Sequence, residues 1–386
     1  MIYSIIFYKN YYFWRQGITF VKMSTENKIN SDIFKLLGDF DHQKIVFCND
    51  EKLGLKAIIT VHDTTLGPAI GGTRILEYKT EQDAIRDSLR LSKAMTYKSA
   101  ITGVNLGGGN AVIIGDNSKI KTEALLRRFG QFVNELNGTY ITSLDIGTTP
   151  RDMEIIKMET SHVAGLPASA GGSGDSSPFT AKSVYYGIKA GIKEMFGNDS
   201  LAGRTILVQG SGQVGEGLVS LLRKENAKVF VSDIVVDRMV YVANRYGAEV
   251  VQANNIYNMD VDVYVPCALG GTLNDDTIPK LKCKIIAGSA NNQLKDEDKN
   301  GKMLLDRGIL YAPDYLINAG GLISCYSELA GYSTSRTLEL AENIYEATRS
   351  VIRKSKQEQI SAHQAANQIA EDRINSIKSI NNHRRL

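Results

Sequence analysis

The sequence has few of the residues that form disulfide bonds or bind metals, and it has few prolines. Its 386 residues include only 7 prolines, 5 histidines and 4 cysteines. The cysteines form no Cys-x-x-Cys pair and have no histidine at metal-ligand spacing: Cys48, Cys267, Cys283 and Cys325. We therefore expect neither a metal site nor a disulfide framework, and we predict a reducing, cytoplasmic location.

An excess of charge of one sign is also missing. The 45 basic residues exceed the 42 acidic ones by only 3, which is too little for a nucleic-acid surface. A hydrophobic share of 43% and a charged share of 23% are typical of a soluble globular chain, and the length suits two domains. We expect no nucleic-acid partner.

Residues 1–22 differ from the rest of the chain. They hold 8 of the 30 aromatic residues, including Trp14, and they carry three basic residues but no acidic one. Polar residues interrupt the apolar run too often for a membrane span, and the residue order does not match a signal peptide. We predict an extension outside the core; the alternative is a segment that binds a partner or a membrane surface.

The remaining chain predicts an α/β protein of two domains. In residues 24–160, extended apolar runs such as Ala111–Ile114 alternate with a one-sided helical pattern over Glu81–Ala94, which favours a mixed α/β substrate and oligomerisation domain. In residues 175–330, short strands alternate with helices, which predicts a doubly wound parallel sheet of the Rossmann type. Residues 335–386 are predicted to form helices that pack back on the first domain.

A glycine motif indicates the cofactor site. The segment Gly210–Gly215 reads Gly-x-Gly-x-x-Gly, follows the predicted strand Ile206–Val208 and opens a helix, so its backbone can approach a pyrophosphate. Asp233 ends the next strand, 18 residues after Gly215, where a carboxylate accepts ribose hydroxyls and repels a 2′-phosphate. The Asp233 carboxylate favours NAD over NADP. The nearby Arg238 is a cation that would suit NADP instead.

Four other segments are rich in glycine. A single such loop is usually a turn, but four beside a dinucleotide loop indicate a cleft in which backbone from both domains contacts a small ligand. The segments are Gly67–Arg74, Gly103–Gly109, Gly171–Gly174 and Asn318–Gly321.

The chain resembles the Glu/Leu/Phe/Val amino-acid dehydrogenase family, most closely its leucine dehydrogenase branch. The resemblance rests on motifs in the family's order: Thr65–Arg74, Met95–Lys98, Asn105–Gly109, Asp145–Thr149, Pro266–Gly270, Ala290–Gln293 and Tyr311–Tyr315. It implies NAD-dependent oxidative deamination of a branched-chain or other apolar L-amino acid to a 2-oxo acid and ammonia. It also implies an assembly of identical subunits.

The resemblance further implies roles for single residues. Lys98 would hold the substrate carboxylate, and Asp145 would move protons to and from the amino or imino nitrogen. The other expected substrate contacts line the cleft: Ile70, Gly71, Gly72, Met95, Ser143, Leu322 and Cys325. The expected cofactor contacts are Thr180, Gly210, Gly212, Gln213, Val214, Gly215, Asp233, Ile234, Cys267, Ala268 and Asn292.

One position departs from the family where chemistry is expected. After Gly107–Gly109 the family carries a lysine that acts as a base on the water attacking the imine, and here the residue is Asn110. Asparagine donates and accepts hydrogen bonds but cannot take up a proton near neutral pH. General acid–base help is worth about 10²–10⁴ in rate, so we expect a severely slowed reaction unless another group takes the place of the lysine. Further departures near the cleft are Ser143, Leu144, Leu322 and Cys325.

Three hypotheses fit the sequence. The first is an NAD-dependent dehydrogenase or imine reductase of this family with an altered substrate and weakened proton transfer. The second is an inactive NAD-binding paralogue that acts as a regulatory or assembly subunit. The third is an interaction protein whose segment 1–22 docks a partner or a membrane surface. The retained Lys98, Asp145 and glycine loop favour the first.

Overall fold

A computed structural model describes residues 33–331 and 333–383. Residues 1–22 lie outside the described part of the chain, and both interpretations of them stay predictions. Two β-sheets organise the described residues, and each is covered by helices.

The first sheet is mixed. Its strands are β1 (Lys44–Asp50), β2 (Leu55–Asp63), β3 (Ala69–Leu76), β4 (Gly107–Ile114) and β5 (Tyr140–Leu144). They lie in the order β1-β2-β4-β3-β5; β2 runs antiparallel to β1 and β4, whereas β3 runs parallel to β4 and β5. The helices of this domain are α1 (Ile33–Asp39), α2 (Glu81–Ile101), α3 (Asn117–Ile120), α4 (Glu123–Glu135) and α5 (Pro150–Lys157).

Helix α2 is longer than its apolar pattern predicts. It continues to Ile101 rather than ending at Ala94. Its buried face carries hydroxyl side chains, and Thr60 of β2 bonds to Ser88 at 2.8 Å and to Ser92 at 3.0 Å. Because these polar side chains satisfy one another, the face packs on the sheet without a regular apolar stripe.

The second sheet confirms the predicted Rossmann architecture. Its strands are β6 (Thr205–Gln209), β7 (Lys228–Ser232), β8 (Glu249–Val250), β9 (Val263–Pro266), β10 (Ile285–Ile286) and β11 (Leu310–Tyr311). They are all parallel, in the order β11-β10-β9-β6-β7-β8. The helices of this part of the chain are α6 (Ser177–Phe196), α7 (Gln213–Lys224), α8 (Val236–Tyr246), α9 (Glu297–Asp306), α10 (Asp314–Ile317) and α11 (Gly320–Leu329). The strand order reverses between β6 and β9, and ligands of such sheets bind at the carboxyl ends of the strands there.

The C-terminal helices divide between the two domains. They are α12 (Thr334–Glu342), α13 (Ile344–Glu358) and α14 (Ala362–His383). As predicted, α14 returns to the first domain and packs on α2, whereas α12 and α13 pack mainly on α6. The reason is apolar burial, because Ile344 and Val351 of α13 join the same core cluster as Ile188 of α6.

Arg373 of α14 binds the end of α2. Its Nη1 donates to the carbonyls of Ala100 at 2.9 Å and Val104 at 3.0 Å. Its Nη2 donates to the carbonyl of Gly103 at 3.2 Å and to Asn105 Oδ1 at 2.8 Å. The guanidinium therefore supplies additional donors to carbonyls at and just beyond the C-terminal end of α2.

Replacing this guanidinium should destabilise the chain. We expect Arg373→Met to lower the free energy of unfolding by about 2–4 kcal/mol, because several hydrogen bonds to one charged donor are lost together. Urea denaturation followed by circular dichroism measures the change. Arg336→Met, at an exposed position of α12, is the control and should stay within about 0.5 kcal/mol of the unmodified protein. Equal stability of the two variants would contradict this role.

Candidate active site

Two glycines of β3 bring backbone segments of the first sheet together. A Cβ at Gly71 would lie 1.7 Å from the carbonyl oxygen of Gly109, and one at Gly72 would lie 2.5 Å from the Cβ of Asp145. Real side chains are excluded from both positions. Because of this, β3 lies directly beside the segments that carry Asn110 and Asp145.

Tyr140 of β5 fixes the backbone of these glycines. Its hydroxyl donates to the carbonyl of Gly71 at 3.0 Å and is 3.4 Å from that of Gly72. The side chain is fully buried, and burial raises the pKa of Tyr140, so the hydroxyl stays a neutral donor. The sequence offered no sign of this role, because the partner carbonyls belong to another strand.

Arg74 holds the carboxylate of Asp145. Arg74 Nε lies 3.0 Å from Asp145 Oδ2, and Nη2 lies 3.4 Å from Oδ1, so the contact is bidentate. The remaining nitrogen, Nη1, donates to Asp87 Oδ2 of α2 at 2.9 Å. Sequence reasoning quoted Arg74 only as part of a motif. Its partner lies 71 residues away, so no local spacing could reveal the pair.

Lys98 contacts the second domain. It lies in the last turn of α2, and its Nζ donates to Asn318 Oδ1 at 2.7 Å. The Asn318 amide is oriented in turn, because its Nδ2 donates to Asn291 Oδ1 at 2.6 Å. Burial, opposed by the charges of Asp314 and Cys325, lowers the pKa of Lys98 to about 8. Asn318 is a site residue that sequence reasoning placed in a glycine-rich segment without a role.

Asn110 is buried in β4. It is 2% exposed and lies opposite Thr60 of β2. The Asn110 Nδ2 donates to the carbonyl of Ala111 at 3.2 Å. The Thr60 hydroxyl lies 3.3 Å from the backbone carbonyl oxygen of Asn110. Within the described residues, its side chain makes no hydrogen bond to Lys98 or Asp145.

The apolar residues expected to contact the substrate side chain differ in how deeply they are buried. Ile70 and Leu322 belong to one buried cluster and are only 1% and 6% exposed. Met95 and Cys325 pack against that cluster and are partly buried, so they offer more surface to a ligand. Ser143 of β5 pairs with Gly72 in the sheet register.

The cofactor loop lies where the second sheet changes strand order. A Cβ at Gly210 would lie 2.9 Å from the Cys267 carbonyl group and 3.0 Å from the Ala268 nitrogen, and one at Gly215 would lie 2.0 Å from the Gly210 oxygen. By contrast, a Cβ at Gly212, the residue before α7, would meet nothing within 4 Å. Two glycines therefore permit close packing, and the third leaves open space at a helix N-terminus, which fits a pyrophosphate.

Asp233 follows β7 and is held by the glycine loop. Its Oδ2 accepts from the Ser211 backbone at 2.6 Å and from the Ser211 hydroxyl at 2.7 Å, and its Oδ1 accepts from the Val235 backbone at 2.9 Å. Burial opposes ionisation, but these hydrogen bonds lower the pKa of Asp233. The carboxylate is therefore charged at neutral pH. The next residue, Ile234, is 86% exposed.

Arg238 is engaged rather than free. Its Nη2 donates to Glu216 Oε2 at 2.9 Å, and its Nε donates to the Ser211 carbonyl at 2.7 Å. A 2′-phosphate would have to compete with Glu216 for this guanidinium. The geometry therefore favours NAD in the choice that the sequence left open.

The other expected cofactor contacts are dispersed around the loop. Thr180 bonds within α6, and Asn292 takes a left-handed backbone conformation with φ of 52°. Asn292 Oδ1 also accepts from Arg90 Nη1 of α2 at 3.4 Å, which is a contact between the domains. Gln213 and Val214 open α7.

Glu328 of α11 holds the loop that connects the domains. Its carboxylate accepts from the backbone nitrogens of Gly165 and Leu166, each at 3.2 Å, and of Ser173 at 2.9 Å. The same helix carries Leu322, so the loop and the pocket wall are joined through one element. Sequence reasoning missed Glu328, because its partners lie at least 155 residues away.

Two features are absent from residues 33–331 and 333–383. No helix there is both long enough and apolar enough to cross a membrane. No group of three or more His, Cys, Asp or Glu residues there could hold a metal ion.

Comparison with protein families agrees with this geometry. A model described as Glu/Leu/Phe/Val dehydrogenase, dimerisation domain, matches residues 42–162, and one described as Glutamate/Leucine/Phenylalanine/Valine dehydrogenase matches residues 171–250 and 236–380. The chain belongs to the Glu/Leu/Phe/Val dehydrogenase family. The resemblance inferred from the sequence motifs is confirmed.

Individual relatives of this dehydrogenase are named for different amino acids. Leucine dehydrogenase from Bacillus cereus is 51% identical over 348 residues, which cover 90% of this chain and 95% of that protein. Phenylalanine dehydrogenase from Caldalkalibacillus thermarum is 46% identical over 346 residues, covering 88% and 93%. The crystal structure of L-tryptophan dehydrogenase from Nostoc punctiforme is 43% identical, has a TM-score of 0.82, and covers 90% of this chain and 99% of its own. The likeness confirms the two-domain fold and leaves the accepted side chain open.

Removing the Tyr140 hydroxyl should loosen the glycine backbone of β3. We expect Tyr140→Phe to lower the free energy of unfolding by about 1–3 kcal/mol, since the buried Gly71 carbonyl loses its side-chain donor. Thermal unfolding monitored by calorimetry measures the effect. Tyr241→Phe on α8, where the side chain is half exposed, is the matched control. A Tyr140→Phe protein as stable as this control would show that the hydroxyl is dispensable.

Proposed function

We propose that this chain is an NAD-dependent amino-acid dehydrogenase whose deamination of an apolar L-amino acid is slowed by Asn110. One observation carries the proposal: the ionisable residues Lys98 and Asp145 are each fixed by a hydrogen-bonded partner, while position 110 holds a buried neutral amide. Lys98 is bonded to Asn318, and Asp145 is bonded to Arg74. The family membership supports the reaction class, and Asn110 is the reason to expect a weakened form of it.

The substrate roles follow from charge and position. The Lys98 ammonium would hold the carboxylate, and Asp145 would accept or return a proton at the amino nitrogen. Gly71 and Gly72 would border the ligand through the backbone of β3, while the space beside their Cα atoms is filled by β4 and by Asp145. The partly buried Met95 and Cys325 would contact the side chain, with Ile70, Ser143 and Leu322 behind them.

The cofactor roles rest on the loop at the end of β6. NAD would supply the acceptor for a hydride from the substrate Cα. The open N-terminus of α7 at Gly212 suits the pyrophosphate, and the ionised Asp233 suits the ribose hydroxyls. Thr180 and Asn292 would hold the nicotinamide carboxamide. The other proposed contacts are Gly210, Gln213, Val214, Gly215, Ile234, Cys267 and Ala268.

A second candidate is an inactive NAD-binding paralogue with a regulatory or assembly role. It is favoured by the same residue, because Asn110 is buried and its amide donates to Ala111 rather than towards a reacting group. Assembly from identical subunits and a cytoplasmic location belong to both proposals.

Restoring the lysine should separate the two candidates. We expect Asn110→Lys to raise kcat for NAD reduction with leucine, valine, isoleucine, phenylalanine or glutamate by about 10²–10⁴, because a base is returned to the water-attack step. The reverse reaction with the matching 2-oxo acids and ammonia gives a second measurement. Asn110→Met, similar in length but without a base, is the control. Tight NAD binding with no turnover in any of the three proteins would favour the inactive paralogue.

Ligand binding should depend on pH through Lys98. The pKa of about 8 means that the ammonium, which binds a carboxylate, is present below pH 8 and is lost above it. We expect the affinity of the NAD-loaded protein for 4-methyl-2-oxopentanoate to fall by up to roughly tenfold per pH unit above the pKa that Lys98 has without the ligand. Calorimetric titration between pH 6.5 and 9.5 tests this. Lys98→Arg keeps its charge throughout that range, so its affinity should be flat; the same decline in both proteins would argue against Lys98.

A further inference from the structure

The described residues offer no evident base to replace the family lysine. Two histidines lie in the polar layer between α2 and the sheet, where His42 bonds to Ser92 at 2.7 Å and His62 bonds to Thr96 at 2.8 Å. Burial lowers the pKa of each histidine to about 4. Imidazoles with such low pKa values accept protons poorly near neutral pH.

The remaining ionisable groups already have other tasks. Asp145 is held by both nitrogens of the Arg74 fork, and Lys98 lies against Asn318, where it can meet a carboxylate. The polar groups nearest to Asn110 in the hydrogen-bond network are hydroxyls such as Thr60. The site can therefore hold an anion and a cationic nitrogen, but it is poorly equipped to activate water.

The proposed reaction has two parts with different needs. Exchange of a hydride at Cα needs the carbon to be aligned, which binding provides. Making or breaking the carbon–nitrogen double bond with ammonia and water needs a base and an acid at the oxygen. Asn110 weakens the second part while Lys98 and Asp145 still serve the first.

We infer that the site acts best on a preformed cyclic 2-imino acid, a five- or six-membered ring whose C=N bond lies beside the carboxylate. This inference rests on the proposed function and narrows its substrate class. Such a ring closes from an ω-amino 2-oxo acid without help, since intramolecular reactions reach effective molarities of about 10⁵–10⁸ M. Neither addition of ammonia nor attack by water is then required of the protein.

The reduction balances without a base at position 110. The ring carbon of the protonated C=N bond accepts a hydride supplied by NADH, and the π electrons become the lone pair of the ring nitrogen. The products are a cyclic secondary amino acid and NAD⁺, and no water or ammonia enters. Lys98 holds the carboxylate, Asp145 pairs with the charged nitrogen, and the exposed parts of Met95 and Cys325 contact the ring methylenes.

The test compares two substrates in the full chain. NADH oxidation is measured with 1-piperideine-2-carboxylate and, separately, with 4-methyl-2-oxopentanoate plus ammonia. We expect the cyclic imine to react at least about 10² faster, and Asn110→Lys to lower this ratio by about 10²–10⁴ because only the ammonia reaction gains a base. Asn110→Met should keep the high ratio, since its side chain has no base.

A binding measurement complements the rates. Pyrrole-2-carboxylate, a planar analogue of the cyclic imine, is titrated calorimetrically into the protein with NAD present. We expect saturable binding that weakens at least about tenfold in Lys98→Met, because the carboxylate loses its charged partner.

The outcomes separate this inference from the proposed function. If the ammonia reaction equals or exceeds reduction of the cyclic imine, the substrate inference is overturned and the dehydrogenase proposal stands. If neither substrate reacts but Asn110→Lys restores the ammonia reaction, the inference again fails while the site is shown to be sound. If no variant turns over and the analogue does not bind, both fail.

Discussion

Close approach of one backbone to another is the constraint on which both halves of the site depend. A Cβ at Gly71 would lie 1.7 Å from an oxygen of β4, and one at Gly215 would lie 2.0 Å from the oxygen of Gly210. At Gly320 it would lie 2.4 Å from Thr180 nitrogen, where α11 meets α6. These glycines are thus packing elements first. The segments that carry Asn110, Asp145 and Thr180 can pack this closely because glycine has no side chain.

Charge is added to this backbone frame at a few points, each with a partner. Arg74 joins Asp145 to Asp87, Glu216 engages Arg238, and Asn318 meets Lys98. Partly buried ions need such partners, because an unpaired charge in a low dielectric is costly. The pairs also restrict the side chains: the guanidinium fork fixes the direction of the Asp145 carboxylate, and Glu216 holds Arg238.

The sequence predicted the fold because its signals are local, and the candidate site was inferred from signals of the same kind. Strand runs, the glycine loop and the acid after β7 can each be recognised within about 25 residues. What it could not show are contacts between distant segments. Arg74 meets Asp145, Lys98 meets Asn318, and Glu328 meets the connecting loop only after the chain has folded. The predicted helix ends at Ala94, before the end of α2, because buried hydroxyl side chains interrupt the apolar pattern that predicts it.

The difference between backbone packing and side-chain contacts also matters for the role of Asn110. Backbone packing alone is enough to preserve the glycine geometry. The preserved glycines are therefore no evidence that the protein turns over a substrate. Asn110 donates from its amide to the Ala111 carbonyl and avoids burying an ammonium in β4, which should make the protein more stable than its lysine form. Lys98 is different. Burial lowers its pKa to about 8, so keeping it charged costs free energy that the neutral acceptor Asn318 and the charge of Asp314 offset only in part. A buried ammonium of this kind has no evident packing purpose, and an anionic ligand is the partner that would stabilise it.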